Sequence, residues 1–335
     1  MSHANKRKLR ITAAAAAGAL AVAGSTLAAS WAAVAQAAPA QPAAQPAYNF
    51  ATLDNANDLT FNQLLGINNN GVIAGYFGSG AQGHPNKGYQ LFPPFAQGNY
   101  VNENFPGSVQ TQVTGINDKG DTVGFWSSMN NANQVNDNHG FYKLRGHNPH
   151  TADFPTGSPA TPPVDQLLGI NNSDVAVGFY TDANGNNHGY KFNINTKRFT
   201  VVTDPNAPTT SLTAAAINNN GDIAGFYTNP ATGNTDGFLK HHGQFIDLAV
   251  PGASSTMALG VNDHDEVVGV FTVGSGSNAA LHGFTWTPRH GFTTVDDPKG
   301  IATTTINGVN DFGQLVGFYV DANGNTDGFL ASPQR

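Results

Sequence analysis

Gly169-Ile170-Asn171-Asn172-Ser173-Asp174-Val175-Ala176-Val177-Gly178-Phe179-Tyr180, followed after a polar turn by His188-Gly189-Tyr190-Lys191-Phe192-Asn193, is one copy of a pattern that decides the fold. A short apolar segment ends in Gly-Ile-Asn, small polar residues turn the chain, and apolar residues resume with a glycine seven positions after the Asn. Short apolar runs hinged on residues that take positive φ read as a β-hairpin. The block occurs six times: Gly66-Ile67-Asn68 with Gly75, Gly115-Ile116-Asn117 with Gly124, the quoted copy, Ala216-Ile217-Asn218 with Gly225, Gly260-Val261-Asn262 with Gly269, and Gly308-Val309-Asn310 with Gly317. Successive Asn lie 49, 54, 47, 44 and 48 residues apart while the seven-residue spacing never changes, so each unit has a rigid front half and a loop that absorbs insertions.

A second shared piece is an aromatic after x-Gly: Lys87-Gly88-Tyr89, His139-Gly140-Phe141, His188-Gly189-Tyr190, Asp236-Gly237-Phe238, His282-Gly283-Phe284 and Asp327-Gly328-Phe329. A third, of the form Phe-Thr-x-x-Asp-x-Pro, is clearest at Phe292–Pro298 and Phe199–Pro205, looser at Phe245–Pro251, and degenerate near Phe105-Pro106 and Phe154-Pro155. Each unit thus predicts four short strands, exemplified by Leu64–Asn68 (a), Val72–Phe77 (b), His188–Asn193 (c) and Phe199–Asp204 (d). About 45 residues with four antiparallel strands is the size of a propeller blade, and radial repetition leaves only short protected edges. The expected fold class is all-β, a six-bladed β-propeller of four-stranded antiparallel blades. The last unit stops at Phe329-Leu330-Ala331-Ser332 without a strand d, whereas Tyr48–Asp54 reads as a strand d without a blade. The last blade is therefore expected to be closed by the N-terminal strand; an open array or another β architecture is the alternative.

The residue two before each repeat Asn is Gly or Ala. Backbones crowding the ring axis explain this, with a glycine-lined pore as the rival. The Asn itself is expected to bond its own turn, as Asx side chains do.

Composition agrees. Among 335 residues, 11% are charged, while 38 Asn, 39 Gly and 19 Pro favour turns. Hydrophobic residues still make up 39%, including 21 Phe, which is enough for a core. Lys6, Arg7, Lys8 and Arg10 precede an uncharged Ala-rich stretch, Ile11–Ala35, and Ala35-Gln36-Ala37 fits a small-x-small cleavage site. Residues 1–37 read as a secretory signal peptide, with an uncleaved membrane anchor as the alternative; 38–47 read as an Ala/Pro-rich linker and 48–335 as one six-repeat domain. Cleavage removes four of the 15 basic groups and none of the 22 acidic ones, leaving 11 − 22 = −11. An acidic chain without a Lys/Arg cluster is not built for nucleic acid. Without cysteine, disulfides and thiolate chemistry are excluded. The location expected is secreted or extracellular, with the periplasm as the other possibility, and the mature chain is expected to be a monomer with no membrane span.

At these repeats the chain resembles the bacterial extracellular HAF-repeat proteins, whose His-Ala-Phe core appears as His139-Gly140-Phe141 and His282-Gly283-Phe284, with His188-Gly189-Tyr190 one step removed. The likeness runs from Tyr48 to Leu330. It implies secretion and a propeller-like fold, and it brings no activity with it. Lys87, Asp236 and Asp327 occupy the His place in units one, four and six, which argues against a shared His function.

Residues for chemistry are sparse. Asp321-Ala322-Asn323-Gly324-Asn325-Thr326-Asp327 offers side-chain oxygens at alternate positions, as calcium loops do, making Asp321, Asn323, Asn325 and Asp327 the weak metal candidates. Its Gly stands fourth rather than sixth and no Glu follows at the twelfth position, so an Asn-Gly hairpin turn explains the same residues without an ion. The related Thr181–Asn187 segment reads the same way. His241-His242 invites a zinc reading, but adjacent residues of a strand face opposite ways and the pair is not expected to chelate. Glu103 and Glu266 are the only glutamates, and the repeated Asp residues Asp118, Asp263 and Asp311 fall in turns, so no glycosidase pair stands out. No catalytic residue and no cofactor is assigned. The departures from symmetry are the insertion Ser127–Asn138 and the Pro-rich loop Thr156–Val164.

The leading functional reading is a secreted, non-enzymatic binding propeller that presents polar and aromatic loops to a carbohydrate or protein at the cell surface. The alternatives are an extracellular polysaccharide hydrolase or lyase with carboxylates near the central channel, and a structural or adhesion repeat protein. Carboxylates and His gathered at one channel mouth would favour the enzyme, a belt of exposed aromatics the binder.

Overall fold

A computed structural model describes residues 48–81, 83–129, 136–204 and 211–334. The expected signal peptide and linker lie outside the described residues. Strand β1 (Tyr48–Thr52) comes first. Blade 1 is β2 (Asn62–Ile67), β3 (Ile73–Phe77), β4 (Lys87–Leu91) and β5 (Tyr100–Asn102); blade 2 is β6 (Gln110–Ile116), β7 (Thr122–Ser127), β8 (His139–Lys143) and β9 (His150–Thr151). Blade 3 is β10 (Asp165–Ile170), β11 (Val175–Thr181), β12 (Asn187–Asn193) and β13 (Arg198–Val201); blade 4 is β14 (Leu212–Ile217), β15 (Ile223–Thr228), β16 (Thr235–His241) and β17 (Gln244–Leu248). Blade 5 is β18 (Ser255–Val261), β19 (Val267–Val273), β20 (Ala280–Thr287) and β21 (Gly291–Thr294), and blade 6 begins with β22 (Thr304–Val309), β23 (Leu315–Val320) and β24 (Thr326–Pro333).

Every blade is antiparallel in the order a-b-c-d, and β1 supplies strand d of blade 6. Its register runs from Tyr48 opposite Pro333 to Thr52 opposite Phe329. The chain is the expected six-bladed β-propeller, its last blade completed by the N-terminal strand. Outer strands are short: β13 ends at Val201, and pairing beyond it is a single bond from Val202 N–H to the Gly189 carbonyl, 2.8 Å.

Each strand a carries a bulge, between Leu64 and Gly66, Val113 and Gly115, Leu167 and Gly169, Ala214 and Ala216, Ala258 and Gly260, and Ile306 and Gly308. The bulge swings the following small residue against the next blade. A Cβ on Gly115 would lie 2.8 Å from the Leu168 carbonyl oxygen, and one on Gly308 3.0 Å from that of Leu65. Inner strands therefore crowd the axis, as the backbone reading of the small residue required. The glycine at +7 faces the bulge from strand b. On Gly124 a Cβ would fall 2.0 Å from the Gln112 oxygen and 2.8 Å from the Phe141 ring. The x-Gly-aromatic piece thus lays its ring over the +7 glycine, and the two motifs are one contact.

The core lies between blades. Val123 and Tyr142 of blade 2 pack with Leu167, Ala176, Tyr190 and Phe192 of blade 3, and the other interfaces repeat this. Tyr76, Phe141, Phe179, Phe238, Phe284 and Phe329 are fully buried, each such aromatic contributing about 1.5–3 kcal/mol. Among the described residues no helix is long and apolar enough to cross a membrane.

Candidate functional site

The repeat Asn residues meet at the axis. Asn68 donates through Nδ2 to the Asn117 carbonyl (2.8 Å), Asn117 to Asn171 (3.1 Å), Asn171 to Asn218 (3.1 Å), Asn218 to Asn262 (3.0 Å), Asn262 to Asn310 (3.1 Å), and Asn310 back to Asn68 (3.2 Å). Their Oδ1 atoms accept backbone N–H groups of their own turns, as at Asn70 and Val72 or Lys119 and Asp121. The Asx turn was legible in sequence; the cross-blade donor was not. The following residue builds a second ring. Backbone N–H groups of Asn69, Asp118, Asn172, Asn219, Asp263 and Asp311 each donate to the next blade's side-chain oxygen at that position, 2.7–2.9 Å. These two rings surround a mouth of about 70 Å³. Asp118, Asp263 and Asp311 do gather there, but their Oδ1 atoms are taken up as ring acceptors, and Asn side chains bond the Oδ2 of each.

The larger opening is a cleft of about 650 Å³ against blade 1. Its floor is Phe77, Gly88, Tyr89 and Tyr100, and its walls are Asn55 and Asn57 from the connector after β1, Lys87, and Gln97, Asn102 and Asn104 from the β4–β5 hairpin. Gln97 fastens the connector by accepting from Ala56 N–H (2.9 Å) and donating to the Asp54 carbonyl (2.7 Å). Asn104 Oδ1 accepts from Gly88 N–H (3.0 Å), and Asn102 Oδ1 accepts from the Asn104 backbone. The Asn57 side chain and the Nδ2 groups of Asn55 and Asn102 make no protein hydrogen bond among the described residues. The Tyr89 and Tyr100 hydroxyls are shut off from bulk solvent without a partner; burial raises both above the ordinary phenol value. Asp54, whose Oδ1 accepts from Gly328 N–H, is pushed up to about 6 chiefly by burial. Phe312 is the one strongly exposed large aromatic among the described residues, so there is no aromatic belt.

No protein-family model matches the chain, and no curated protein does. Solved structures do. The chain is similar to SapL1 lectin in complex with alpha methyl fucoside (TM-score 0.49, 10% identity, 78% of this chain and 88% of that one). It is similar to the six-bladed fungal lectin of Aleuria aurantia (0.48, 10%, 82% and 93%). It is also similar to a polysaccharide lyase, the ulvan lyase of family PL25 bound to -[GlcA(1-4)Rha3S]- (0.44, 13%, 83% and 80%). Likeness at this level concerns chain path and transfers no residue or activity.

The suggested calcium-loop residues sit in the β23–β24 hairpin. Asp321 Oδ1 accepts from the backbone N–H of Asn323 and Asn325 (both 2.8 Å), and Oδ2 from their Nδ2 groups (both 3.2 Å). Slight burial works against it, but the Asn325 and Asn323 N–H donors hold the carboxyl below its ordinary range. Asp327 is the second residue of β24 and lies toward Asp54 and Tyr319. Asp182 repeats the arrangement with Asn184 and Asn186 and also bonds His188 (3.0 Å). The other His-Gly residues bond the Asp of the third motif: His139 Nδ1 to Asp153 (2.7 Å) and His282 Nδ1 to Asp296 (2.8 Å), while the same carboxylates accept from Gly140 and Gly283 N–H. These contacts raise both His pKa values.

The His241-His242 expectation needs correction. Strand β16 ends at His241, and His242-Gly243 is a two-residue turn with φ of 47° and 84°. Strand alternation stops there, and the two rings lie on the same side, centroids 3.9 Å apart.

Proposed function

We propose that the chain is a binding propeller that holds a carbohydrate in the cleft between blade 1 and the connector after β1. The observation that carries this is the cleft's lining, in which open amide groups of Asn55, Asn57 and Asn102 surround a floor of Phe77, Tyr89 and Tyr100. The open Nδ2 groups of Asn55 and Asn102 donate to sugar hydroxyls and the Asn57 amide offers both a donor and an acceptor, while ring faces cover the C–H side of a sugar. The volume suits a mono- or disaccharide, within the roughly 300–1,000 Å³ of small-ligand sites. Lys87 at the wall adds a preference for a sugar carrying an acid group. The extracellular setting follows the HAF-repeat resemblance and the Ala-rich leader. The channel-mouth carboxylates serve the rings, which leaves the non-enzymatic reading ahead of the hydrolase or lyase.

The test is a glycan array followed by calorimetry on the mature chain. Binding of a neutral or acidic saccharide is expected, weakened about five- to tenfold in Asn102→Ala and Asn57→Ala, one lost hydrogen bond being worth about 1–1.5 kcal/mol. Absence of saccharide binding, or binding indifferent to both substitutions, overturns the assignment.

A further inference from the structure

Within the repeat, the position three after the Asn takes positive φ in every unit: Gly71, Gly120, Gly221 and Gly313 at 69–86°, and Asp174 and Asp265 at 58° and 60°. Four units use glycine there, and two use Asp. An L-residue in this conformation costs about 1 kcal/mol, so the two Asp call for a reason. Each meets a second carboxylate. The residue four after the Asn is Asp121 in blade 2, one blade before Asp174, and Asp222 in blade 4, one blade before Asp265. The same carboxylate pair is thus assembled twice, across the blade 2–3 and blade 4–5 boundaries.

The two copies are bridged differently. Lys119 Nζ bridges the first, bonding Asp174 and lying 3.4 Å from Asp121 Oδ2. The corresponding residue in blade 4 is Asn220, which has no charge. Two imidazoles take its place. His241 Nδ1 lies 3.4 Å from Asp222 Oδ2 and 3.4 Å from Asp265 Oδ1, yet makes no hydrogen bond. His241 Nδ1 and Asp265 Oδ1 are closed off from solvent without a partner. The turn at His242, whose N–H donates to Asp222 Oδ1 (2.9 Å), brings the second imidazole in. Donor atoms of Asp222, His241 and His242 all lie within 4.8 Å of one another.

Unpaired ligand atoms at this spacing have a simple use. A tetrahedral ion with bonds of about 2.1 Å needs its donors about 3.4 Å apart, which is the separation found between His241 Nδ1 and Asp222 Oδ2. Two imidazoles with carboxylates suit a borderline divalent ion such as zinc, whereas calcium takes oxygen ligands. We propose that Asp222, His241 and His242 bind a divalent transition-metal ion, with Asp265 flanking the site from blade 5. The ion would do between blades 4 and 5 what Lys119 does between blades 2 and 3. A pocket of about 230 Å³ lined by Lys191, Lys240, Asp222 and His242 adjoins it, giving the ion a path to solvent.

The experiment titrates zinc chloride into the untagged, chelator-treated mature chain by calorimetry and follows thermal unfolding alongside. One saturable equivalent and a raised midpoint are expected. Asp265→Asn should weaken affinity about 10- to 100-fold, the range for groups that orient or complete a site, and His241→Asn and His242→Asn should weaken it at least as much. His242→Asn keeps a residue that accepts positive φ, so it reports on binding even if His241→Asn fails to fold. His147→Asn, at an exposed loop His, should leave binding unchanged. No saturable zinc binding, or binding that survives His242→Asn and Asp265→Asn, overturns the proposal.

Discussion

The Asn117 side chain makes four hydrogen bonds while almost fully buried: Nδ2 donates to the Asn171 carbonyl and to Asp121, and Oδ1 accepts from Lys119 and Asp121 N–H. No other side chain of its length supplies a donor and an acceptor in this arrangement. Truncation leaves several buried groups unpaired, so Asn117→Ala should cost about 2–4 kcal/mol, measured by chemical denaturation. A loss below about 0.5 kcal/mol, usual for surface changes, would show that the ring is ornamental to stability. Half of this role was legible in sequence. A local turn follows from Asn-x-x-Gly, but the partner carbonyl lies 44–54 residues away, or 242 where Asn310 closes the ring on Asn68, and only the ring geometry selects it. His241-His242 failed for a related reason: its orientation depends on the turn closing between the two residues, not on the strand.

At the scale of the blade, spacing was the strongest signal, because bulge, +7 glycine and aromatic form one contact whose members cannot drift apart in sequence. Gly124 and Gly185 separate space from conformation. Gly185 takes φ of 84° with nothing within 4 Å of an added Cβ, whereas Gly124 has a Cβ site 2.0 Å from backbone. Gly185→Ala should therefore cost about 1–2 kcal/mol, and Gly124→Ala more than about 3 kcal/mol or loss of soluble protein, beyond ordinary overpacking. Equal costs in thermal unfolding would contradict this account of the motif. The cleft, by contrast, was illegible. Its walls come from the connector after β1 and the β4–β5 hairpin of blade 1, stretches whose residues do not recur from unit to unit, and their convergence on Tyr89 and Tyr100 arises only when the ring closes.

For the whole molecule, ring closure places the groups that set pH response between blades, and most act in one direction. Asp165 is buried with its oxygens on Tyr190 and Phe154 N–H, and burial raises it to about 8; Asp54 is raised to about 6 by the same cause. Unfolded carboxylates titrate near about 4, so as pH rises from there the unfolded chain ionises first and is favoured. Stability is lost at up to about 1.4 kcal/mol per pH unit per group, until the folded value is passed. The raised His139 and His282 add to this, their stabilisation being present below about 6.5 and fading as pH climbs through their folded values. The lowered Asp58, Asp182 and Asp321 work the other way, but only at acid pH, where they protonate. The denaturation midpoint should thus be highest in mildly acidic solution and fall steadily between about pH 5 and about pH 8. Asp165→Asn, which keeps an acceptor for Phe154 and offers a donor to the Tyr190 oxygen, should flatten the fall between about pH 6 and about pH 8, the window in which Asp54 has already ionised in both states. A midpoint that rises across this window, or a slope unchanged in Asp165→Asn, would mean that the buried carboxyl is ionised in the folded ring and that Tyr190 and the Phe154 amide stabilise the anion.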